Sequence, residues 1–399
     1  MKIGIVYTDI TSYMTDCWRE LNGRVERGER VELKIWIEER RSGTTDFKRK
    51  ELLEGLDAHY DFEDWITDAE CQQVVDEIKN FSPDIVFVCG WARHIPPYVA
   101  AAKELAHIPM VLDFDMPWEW RLRKIAARFI LGPRLKRFSA AFVPGESTAK
   151  YARWLGFPKE KIYKGRNCID LKKWGLISHK EHKDHKDLVG RDDPIAPDSL
   201  DGGRVRSSSG PQRTGFLFVG RLVKDKNIRG MVKWYKKYRK EFAHHRQPQP
   251  PTSTSNSSNS CNSWTKTNEP WSLDVYGCGP EEKYLCNISG ITLHGFAQPE
   301  DLPRIYHEHH TLLLLSKWEP WGVVAMEALA AGCEVVCSDA CGVKELVDRI
   351  SRVEGYPPNE VSCEAGAMLG ERGRDEILKE YSCEAWSDRV IQICKEVTK

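Results

Sequence analysis

Residues 318–347 read WEPWGVVAMEALAAGCEVVCSDACGVKELV, and this stretch decides the fold. Two of its carboxylates, Glu319 and Glu327, have seven residues between them, one of which is Gly322. Because the apolar run 312–315 comes shortly before Glu319, we interpret the stretch as a strand, a loop and the start of a helix. The backbone N–H groups at a helix start, together with the positive end of the helix dipole, form a site for anions.

The residues after Gly322 are mostly small and apolar as far as Ala331, a pattern typical of a buried helix. Gly332 ends this helix, and residues 335–337 predict the next strand. An ordinary buried α/β helix whose glutamates reach solvent is the alternative interpretation. Motifs in the rest of the chain favour the anion site over an ordinary helix.

The length and composition of the chain limit its class. With 399 residues it is long enough for two domains that each bury a core. Its formal net charge is zero, so no global charge favours nucleic acid. No uncharged apolar stretch reaches the ~18 residues of a membrane helix, and residues 1–9 predict a first strand rather than a signal peptide. Thirteen cysteines without a secretory signal indicate reduced thiols and a cytoplasmic protein.

Strand patterns alternate with helix patterns in both halves of the chain. In residues 1–177 the strand patterns are 3–7, 31–37, 85–89, 110–114, 140–143 and 162–164, and in residues 214–374 they are 216–219, 273–276, 291–294, 312–315 and 335–337. Such alternation predicts two α/β domains, each with a parallel sheet that has helices on both faces. Residues 375–399 predict one or two terminal helices.

Two low-complexity segments, 178–213 and 244–270, interrupt this alternation. We expect both to be disordered, the first as a linker or insertion between the domains and the second as a surface insertion. His179, His182 and His185 in the first segment suggest a metal site, although solvated histidines are the interpretation that we favour.

Residues 218–227, FVGRLVKDKN, place Arg221 and Lys226 in the loop after the first strand of the second half. Two cations at the carboxyl end of a parallel strand suit a diphosphate. Gly277 and Gly279 follow the next strand, where glycines let the backbone approach a ligand closely. Each of these patterns also occurs in ordinary surface loops.

His294 and Phe296 stand at the end of the following strand, where a flat side chain is placed to rest against a nucleobase. All these patterns fall at the carboxyl ends of strands in one predicted sheet, the edge at which open α/β sheets bind ligands. Their convergence carries more weight than any one of them.

The order of these motifs closely resembles the nucleotide-sugar-binding domain of retaining glycosyltransferases with the GT-B fold. The family is the large one called glycosyl transferases group 1, which includes sucrose-phosphate synthases and bacterial lipopolysaccharide mannosyl- and glucosyltransferases and has two glutamates at this spacing. The resemblance covers most of residues 216–348. Residues 140–174 are similar to a family segment that ends in Asn-Gly-Val-Asp, with Asn167 and Asp170 kept and Cys168 in the place of glycine.

The resemblance implies a catalytic role for three residues. Arg221 and Lys226 would neutralise the leaving diphosphate without a metal ion, and Glu319 would hold hydroxyls of the donor sugar. It also implies that Glu327 accepts hydrogen bonds from the ribose. The other predicted donor contacts come from the helix start, the glycine loop and the flat rings: Trp321, Gly322, Val323, Gly277, Gly279, His294 and Phe296.

The first domain is expected to hold the acceptor. His94, in CGWARHIPP, is the candidate for the histidine that the family often carries there, with a structural histidine as the alternative. Asp113 and Asp115 end a strand and are predicted to contact the acceptor, although Asp-x-Asp is also the metal motif of the other glycosyltransferase fold, GT-A. Residues 8–16, TDITSYMTD, depart from the family because they lack its usual glycine pair.

A helix is predicted over residues 119–131, inside the basic segment 121–137 in which apolar residues are interleaved. We interpret this segment as a possible contact with an anionic membrane surface or with a charged acceptor. A helix that packs one face and solvates the other is the alternative.

Taken together, the sequence predicts an α/β protein of the GT-B class, with two Rossmann-like domains that face each other across a cleft. By resemblance, residues 375–399 return towards the first domain. The expected activity is retaining, metal-independent transfer of a hexose from a nucleoside-diphosphate sugar to a carbohydrate or lipid-linked acceptor, with no cofactor and no nucleic-acid partner. A homologue that binds the sugar nucleotide or glycan without turnover and a nucleotide-sugar epimerase are the alternatives.

Overall fold

The computed structural model describes residues 1–26, 28–38, 49–59, 66–91, 94–119, 122–175, 215–245, 269–353 and 371–399. The predicted segment 178–213, with its three histidines, lies outside these residues, and so do residues 246–268 of the predicted insertion 244–270.

The first half of the chain alternates strands and helices as its hydrophobic pattern requires. The elements are β1 (Lys2–Tyr7), α1 (Ser12–Asn22), β2 (Val25–Glu26), β3 (Glu29–Arg30), β4 (Glu32–Ile37), α2 (Arg49–Leu52), β5 (Ala58–His59), α3 (Asp68–Phe81), β6 (Ile85–Cys89), α4 (Ile95–Ala101), β7 (Met110–Asp113), α5 (Leu122–Leu135), β8 (Ala140–Val143), α6 (Glu146–Leu155) and β9 (Ile162–Lys164).

Seven of these strands form one parallel sheet in the order β5-β4-β1-β6-β7-β8-β9. Every residue of β6, β7 and β8 is buried. Strands with no exposed alternate residue are expected where helices cover both faces of a parallel sheet. The prediction of a parallel, doubly covered sheet is therefore confirmed for this domain.

The second half builds a smaller sheet by the same logic. Its elements are β10 (Phe216–Val219), α7 (Ile228–His245), β11 (Leu273–Tyr276), β12 (Ile291–Gly295), α8 (Leu302–Glu308), β13 (Thr311–Leu314), α9 (Val323–Ala330), β14 (Glu334–Cys337), α10 (Lys344–Val353), α11 (Glu371–Lys379) and α12 (Cys383–Val397). The five strands run parallel in the order β12-β11-β10-β13-β14. The predicted strand patterns of this half all correspond to strands.

Three details differ from the sequence-based expectations. The strand β5 and the hairpin of β2 and β3 were not expected, because two-residue strands leave no hydrophobic period to recognise. The helix expected over 119–131 is described from Leu122, does not include Glu119, and runs past Pro133 to Leu135. The side chain of Leu135 is buried in the first domain, and its packing favours this longer helix.

The last helix, α12, packs on the first domain. Its buried residues Cys383, Trp386 and Val390 belong to the same core as β1 and α1. The indole of Trp386 lies 6.3 Å from the ring of Phe142 on β8, measured between ring centroids. The chain therefore crosses from the second domain back to the first. No helix of the described residues is long and apolar enough to cross a bilayer.

Replacing Trp386 by alanine is expected to lower the free energy of unfolding by about 3–5 kcal/mol, because it leaves a large cavity under α12. Urea denaturation followed by circular dichroism measures the change. Lys395→Ala on the same helix, a partly exposed position outside that core, is the matched control. A cost below about 1 kcal/mol for Trp386→Ala would show that α12 does not complete the first-domain core.

Candidate active site

Two loops meet at the carboxyl edge of the second sheet. The loop after β10 and the loop after β13 are joined by their backbones, because the carbonyl of Asp225 accepts from the amides of Lys317 (2.7 Å) and Trp318 (3.4 Å). The side-chain amide of Asn227 donates to the carbonyl of Leu315 (2.9 Å). The two motifs predicted to share a ligand are thus held side by side.

Lys226 and Glu319 form an ion pair across these loops. The Glu319 carboxylate also accepts from Ser316 Oγ (3.3 Å), and the residue is only 9% exposed. Arg221 is exposed in the same loop as Lys226. The ammonium group of Lys226 and the carboxylate of Glu319 are adjacent and lie near the N-terminus of the helix that follows. Together they can bind an anion and a hydroxylated sugar.

Gly322 sets the conformation that starts helix α9. Its φ of +103° is in the left-handed region, and a Cβ there would come 2.8 Å from Leu314 Cδ2, so only glycine fits. The loop is fixed further by hydrogen bonds from the amide of Gly342 to the carbonyl of Glu319 (3.0 Å) and from the amide of Val343 to the carbonyl of Trp321 (2.8 Å). In the first turn of α9 the amide of Ala325 donates to the carbonyl of Gly322 (3.0 Å), whereas the first N–H groups of a helix, here those of Val323 and Val324, have no acceptor four residues back in their own helix.

Glu327 lies on α9 and is buried. Its carboxylate accepts a hydrogen bond from Tyr306 Oη (3.0 Å). Burial raises the pKa of Glu327 to about 7, although the Tyr306 hydrogen bond and Lys173 lower it. Lys173 itself pairs with Asp16 of the first domain at 3.6 Å. The carboxyl group predicted to hold the ribose therefore has a pKa of about 7 in this structure.

Gly277 and Gly279 bring two loops together. A Cβ at Gly277 would lie 1.8 Å from the carbonyl oxygen of Gly220, and one at Gly279 would lie 2.5 Å from that of Leu222. The amide of Leu222 also donates to the carbonyl of Cys278 (2.9 Å). The close approach that these glycines permit is to the loop carrying Arg221. Their contact with a donor stays a prediction.

His294 and Phe296 occupy the end of β12. The imidazole of His294 stacks on the ring of Tyr276 with centroids 4.4 Å apart, and its Nε2 lies 2.6 Å from an Asp274 oxygen. The other Asp274 oxygen lies 3.3 Å from His309 Nε2. Hydrogen bonding to His309, and then to His294, outweighs burial and lowers the pKa of Asp274. Phe296 is exposed, so the prediction of a nucleobase contact remains open for both residues.

The first domain holds a buried charged cluster that the sequence reasoning missed. Arg166 donates to Asp113 and to Tyr7 Oη, and its Nη1 lies 2.7 Å from the Asn167 side-chain oxygen. Burial raises the pKa of Asp113, and Arg166 acts against that rise. Asp115 lies 4.0 Å from Arg166 and has a half-exposed side chain.

This cluster bears on the acceptor prediction. Since the Asp113 carboxylate is buried and paired with Arg166, a direct contact with an acceptor stays a prediction mainly for Asp115. Arg166 stands two residues after the end of β9, as Arg221 does after β10, so the rule that selected Arg221 at a strand end would have found it. Among the described residues no group of three side chains is arranged to hold a metal ion.

His94 lies at the start of α4. Its backbone N–H donates to the carboxylate of Glu38 (3.0 Å), which also accepts from the amide of Ile95 (2.8 Å). Glu38 is fully buried, whereas the side chain of His94 is about half exposed, with Nδ1 3.4 Å from Glu38. Glu38 therefore holds the position of His94, and sequence reasoning missed it although it directly follows a strand.

The two domains touch beside the Glu319 loop. The Glu345 carboxylate of the second domain accepts from the amide of Glu146 at the start of α6 (2.9 Å). A Cβ at Gly145 would lie 2.2 Å from Glu345 and 2.5 Å from the Trp321 ring. The Trp321 ring in turn stacks on Tyr381 with centroids 5.9 Å apart. The side chain of Trp321 is thus part of the domain contact, which leaves its backbone for the predicted donor contact.

Comparison with known proteins finds a family similarity in the second domain. The family described as "Glycosyl transferases group 1" matches residues 205–356. An uncharacterized glycosyltransferase of Methanocaldococcus jannaschii is 34% identical over 95 residues, which are 22% of this chain and 24% of that protein. The chain therefore aligns with about a quarter of the length of this curated relative.

Solved structures match over almost the whole chain. HepE of Anabaena, in complex with UDP and glucose, has a TM-score of 0.61 at 13% identity and covers 99% of this chain and 100% of its own. The UDP-GlcNAc 2-epimerase of Neisseria meningitidis, bound to UDP-GlcNAc, has a TM-score of 0.53 at 13% identity and covers 99% and 100%. These likenesses show the fold, which is GT-B, and the GT-A alternative for Asp113 and Asp115 is wrong.

Replacing Arg166 by methionine is expected to lower the free energy of unfolding by about 3–5 kcal/mol, because it leaves Asp113 buried without its partner. The double change Arg166→Met with Asp113→Asn removes the orphaned charge and should recover part of that loss. Denaturant titration of the wild type and the two variants measures it. If both variants were equally unstable, the ion pair would not be what Arg166 contributes.

Replacing Glu327 by glutamine should change how stability depends on pH. Because burial raises the Glu327 pKa from 4.5 to about 7, the folded state binds a proton that the unfolded state has lost, and stability falls as pH rises between these values. Glutamine removes this fall and still accepts from Tyr306. The variant should gain up to about 3 kcal/mol relative to wild type by pH 8.

Thermal melting from pH 5 to pH 8 tests this expectation, with Glu300→Gln at an exposed position as the control. The melting temperature of Glu327→Gln should rise relative to wild type as pH increases. A constant difference across the range would mean that Glu327 is ionised throughout in the folded protein.

Proposed function

From the Glycosyl transferases group 1 domain at residues 205–356 and the GT-B fold of the chain, we infer that this protein is a glycosyltransferase. We propose that it moves a hexose from a nucleoside-diphosphate sugar to a carbohydrate or lipid-linked acceptor. The observation that carries the proposal is the ion pair of Lys226 and Glu319, which lies at the start of α9 on the carboxyl edge of the second sheet.

The proposed reaction needs negative charge to be stabilised as the diphosphate leaves. Lys226 and Arg221 would face that charge from one loop, and the first-turn amides of α9 would face it from the other. Fixed cations and helix dipoles stabilise developing charge because they need no reorganisation during the reaction. We therefore propose that the leaving group is neutralised by side chains and backbone, with no metal ion.

The two glutamates are proposed to hold the sugar nucleotide from either end. Glu319, oriented by Lys226 and Ser316, would accept hydrogen bonds from hydroxyls of the hexose. Glu327 would accept from the ribose once ionised. Because this pair resembles the motif of retaining enzymes, we propose that the product keeps the anomeric configuration of the donor.

The first domain is proposed to bind the acceptor at the opposite wall of the cleft. Asp115 is half exposed beside the buried Arg166 cluster, and His94 is held at the start of α4 by Glu38. Both are placed after strands of the first sheet, where open α/β sheets receive ligands. Both would act on the acceptor hydroxyl through hydrogen bonds.

The donor is identified by thermal-shift measurements with UDP-, GDP- and ADP-sugars, since a ligand of the folded state raises the melting temperature. The bound donor is then incubated with acceptor candidates, and nucleoside diphosphate release and the anomeric configuration of the product are followed by NMR. Conversion of the sugar to an epimer without an acceptor would instead favour an epimerase. Binding with no release of nucleotide would favour a non-catalytic homologue.

Lys226→Ala should reduce the rate of nucleoside diphosphate release about 100-fold, as loss of one group that stabilises transition-state charge does. Lys224→Ala, at an exposed position in the same loop, is the matched control and should leave the rate nearly unchanged. Melting temperatures of both variants confirm that they are folded. If the two variants turned over alike, Lys226 would not stabilise the leaving group. EDTA should leave the wild-type rate unchanged.

A further inference from the structure

Helix α5 exposes a row of large apolar side chains. Leu122, Phe129 and Ile130 are 85%, 74% and 70% exposed. They are three of the six large hydrophobic residues that are exposed in the described part of the chain. Their spacing of seven and eight residues places them on one side of the helix. We call Leu122, Phe129 and Ile130 the apolar stripe.

The opposite side of α5 fastens the helix to the first domain. Lys124, Ala127 and Leu135 are buried. The Lys124 ammonium donates to the carbonyl of Pro117 and lies 5.4 Å from the centroid of the Tyr151 ring. Because this side is anchored, the apolar stripe is held pointing away from the domain.

The charged residues of the segment that carries the stripe have one sign, although Lys124 pairs with Glu119 just before it (3.4 Å). Residues 121–137 contain seven lysines and arginines and no aspartate or glutamate, in a chain whose 59 basic and 59 acidic residues cancel. Some of these cations serve the fold, as Arg137 does by donating to the carbonyls of Leu105 (2.7 Å) and Ile108 (2.8 Å). Arg134 and Lys136 are exposed at the end of the helix.

We propose that α5 docks the first domain on the surface of an anionic lipid bilayer. The apolar stripe would enter the boundary between head groups and acyl chains, and the neighbouring cations would meet lipid phosphates. The apolar stripe complements the acyl chains of such a surface, and the positive charge beside it complements the negative head groups. A protein-binding helix would need acidic groups opposite these cations, whereas a bilayer supplies negative charge along the whole helix.

Docking through α5 would also orient the cleft. The helix follows β7, and Asp115 lies in the loop between them. The side of the first domain proposed to bind the acceptor would thus lie close to the bilayer surface. The docking itself rests on the exposure and charge of α5 alone, so it stands or falls separately from the proposed transfer reaction.

The experiment is co-sedimentation of the full chain with vesicles, without any donor sugar. The wild-type protein should bind vesicles of phosphatidylcholine mixed with phosphatidylglycerol and should bind pure phosphatidylcholine far more weakly. High salt should weaken the binding, since it screens surface charge. Phe129→Glu combined with Ile130→Glu should reduce the partition coefficient at least about tenfold, because two buried apolar groups are lost.

The matched control is Val25→Glu combined with Leu293→Glu. It replaces two other exposed hydrophobic residues and changes the net charge by the same amount as the stripe variant. It should keep most of the binding. Arg134→Glu combined with Lys136→Glu should weaken binding about fivefold or more per charge and reduce its salt dependence. Circular dichroism and melting temperature confirm that each variant is folded.

Three results would overturn the proposal. The wild-type chain could fail to bind anionic vesicles, or it could bind neutral and anionic vesicles alike. The stripe variant and its control could bind equally well. Light scattering after size exclusion adds a further readout: a wild-type dimer that the stripe variant converts to a monomer, with no vesicle binding, would make the stripe an interface between copies.

Discussion

The contact between Lys226 and Glu319 depends on two loops whose conformation is fixed by backbone hydrogen bonds and by glycines. Asp225 joins them through its carbonyl, Gly322 supplies the left-handed turn, and Gly277 lets a third loop approach Gly220. The ion pair is nearly buried, so its charges would be costly if the loops moved apart. The edge of the second sheet is therefore preorganised, which is what charge stabilisation in a transfer reaction requires.

The same loop also sets how the two domains meet. Trp321 directly precedes Gly322 and packs between Gly145 of the first domain and Tyr381 near α12. Glu345 caps α6 across the boundary. The ring of Tyr13 packs against the cores of both domains. A movement of the Glu319 loop would therefore alter the contact between the domains, and a change in that contact would move the loop.

Most of the fold could be predicted from the sequence because its signals are local. Apolar runs such as 85–89 and 312–315 define strands, and carboxyl-end loops then collect the ligand-binding residues. The partners that complete the site are not local. Arg166 contacts Asp113, which is 53 positions away in the sequence, and His94 contacts Glu38, which is 56 positions away. No spacing rule reaches that far, and a lone arginine or glutamate in a sequence does not reveal that it will be buried with a partner.

The difference between the first loop and the family that the chain resembles has a physical explanation. Residues 8–16 lack the glycine pair, and Tyr13 stands there instead, with its pKa raised by burial to about 12. The charge of Arg166, which is bound to Tyr7 and Asp113, acts against that rise. Glycine loops bring backbone amides close to a ligand, whereas large side chains such as that of Tyr13 keep the backbone away. In the proposed reaction the first domain therefore contributes side chains rather than loop amides, and specificity for the acceptor would depend on the few that reach the cleft, Asp115 and His94.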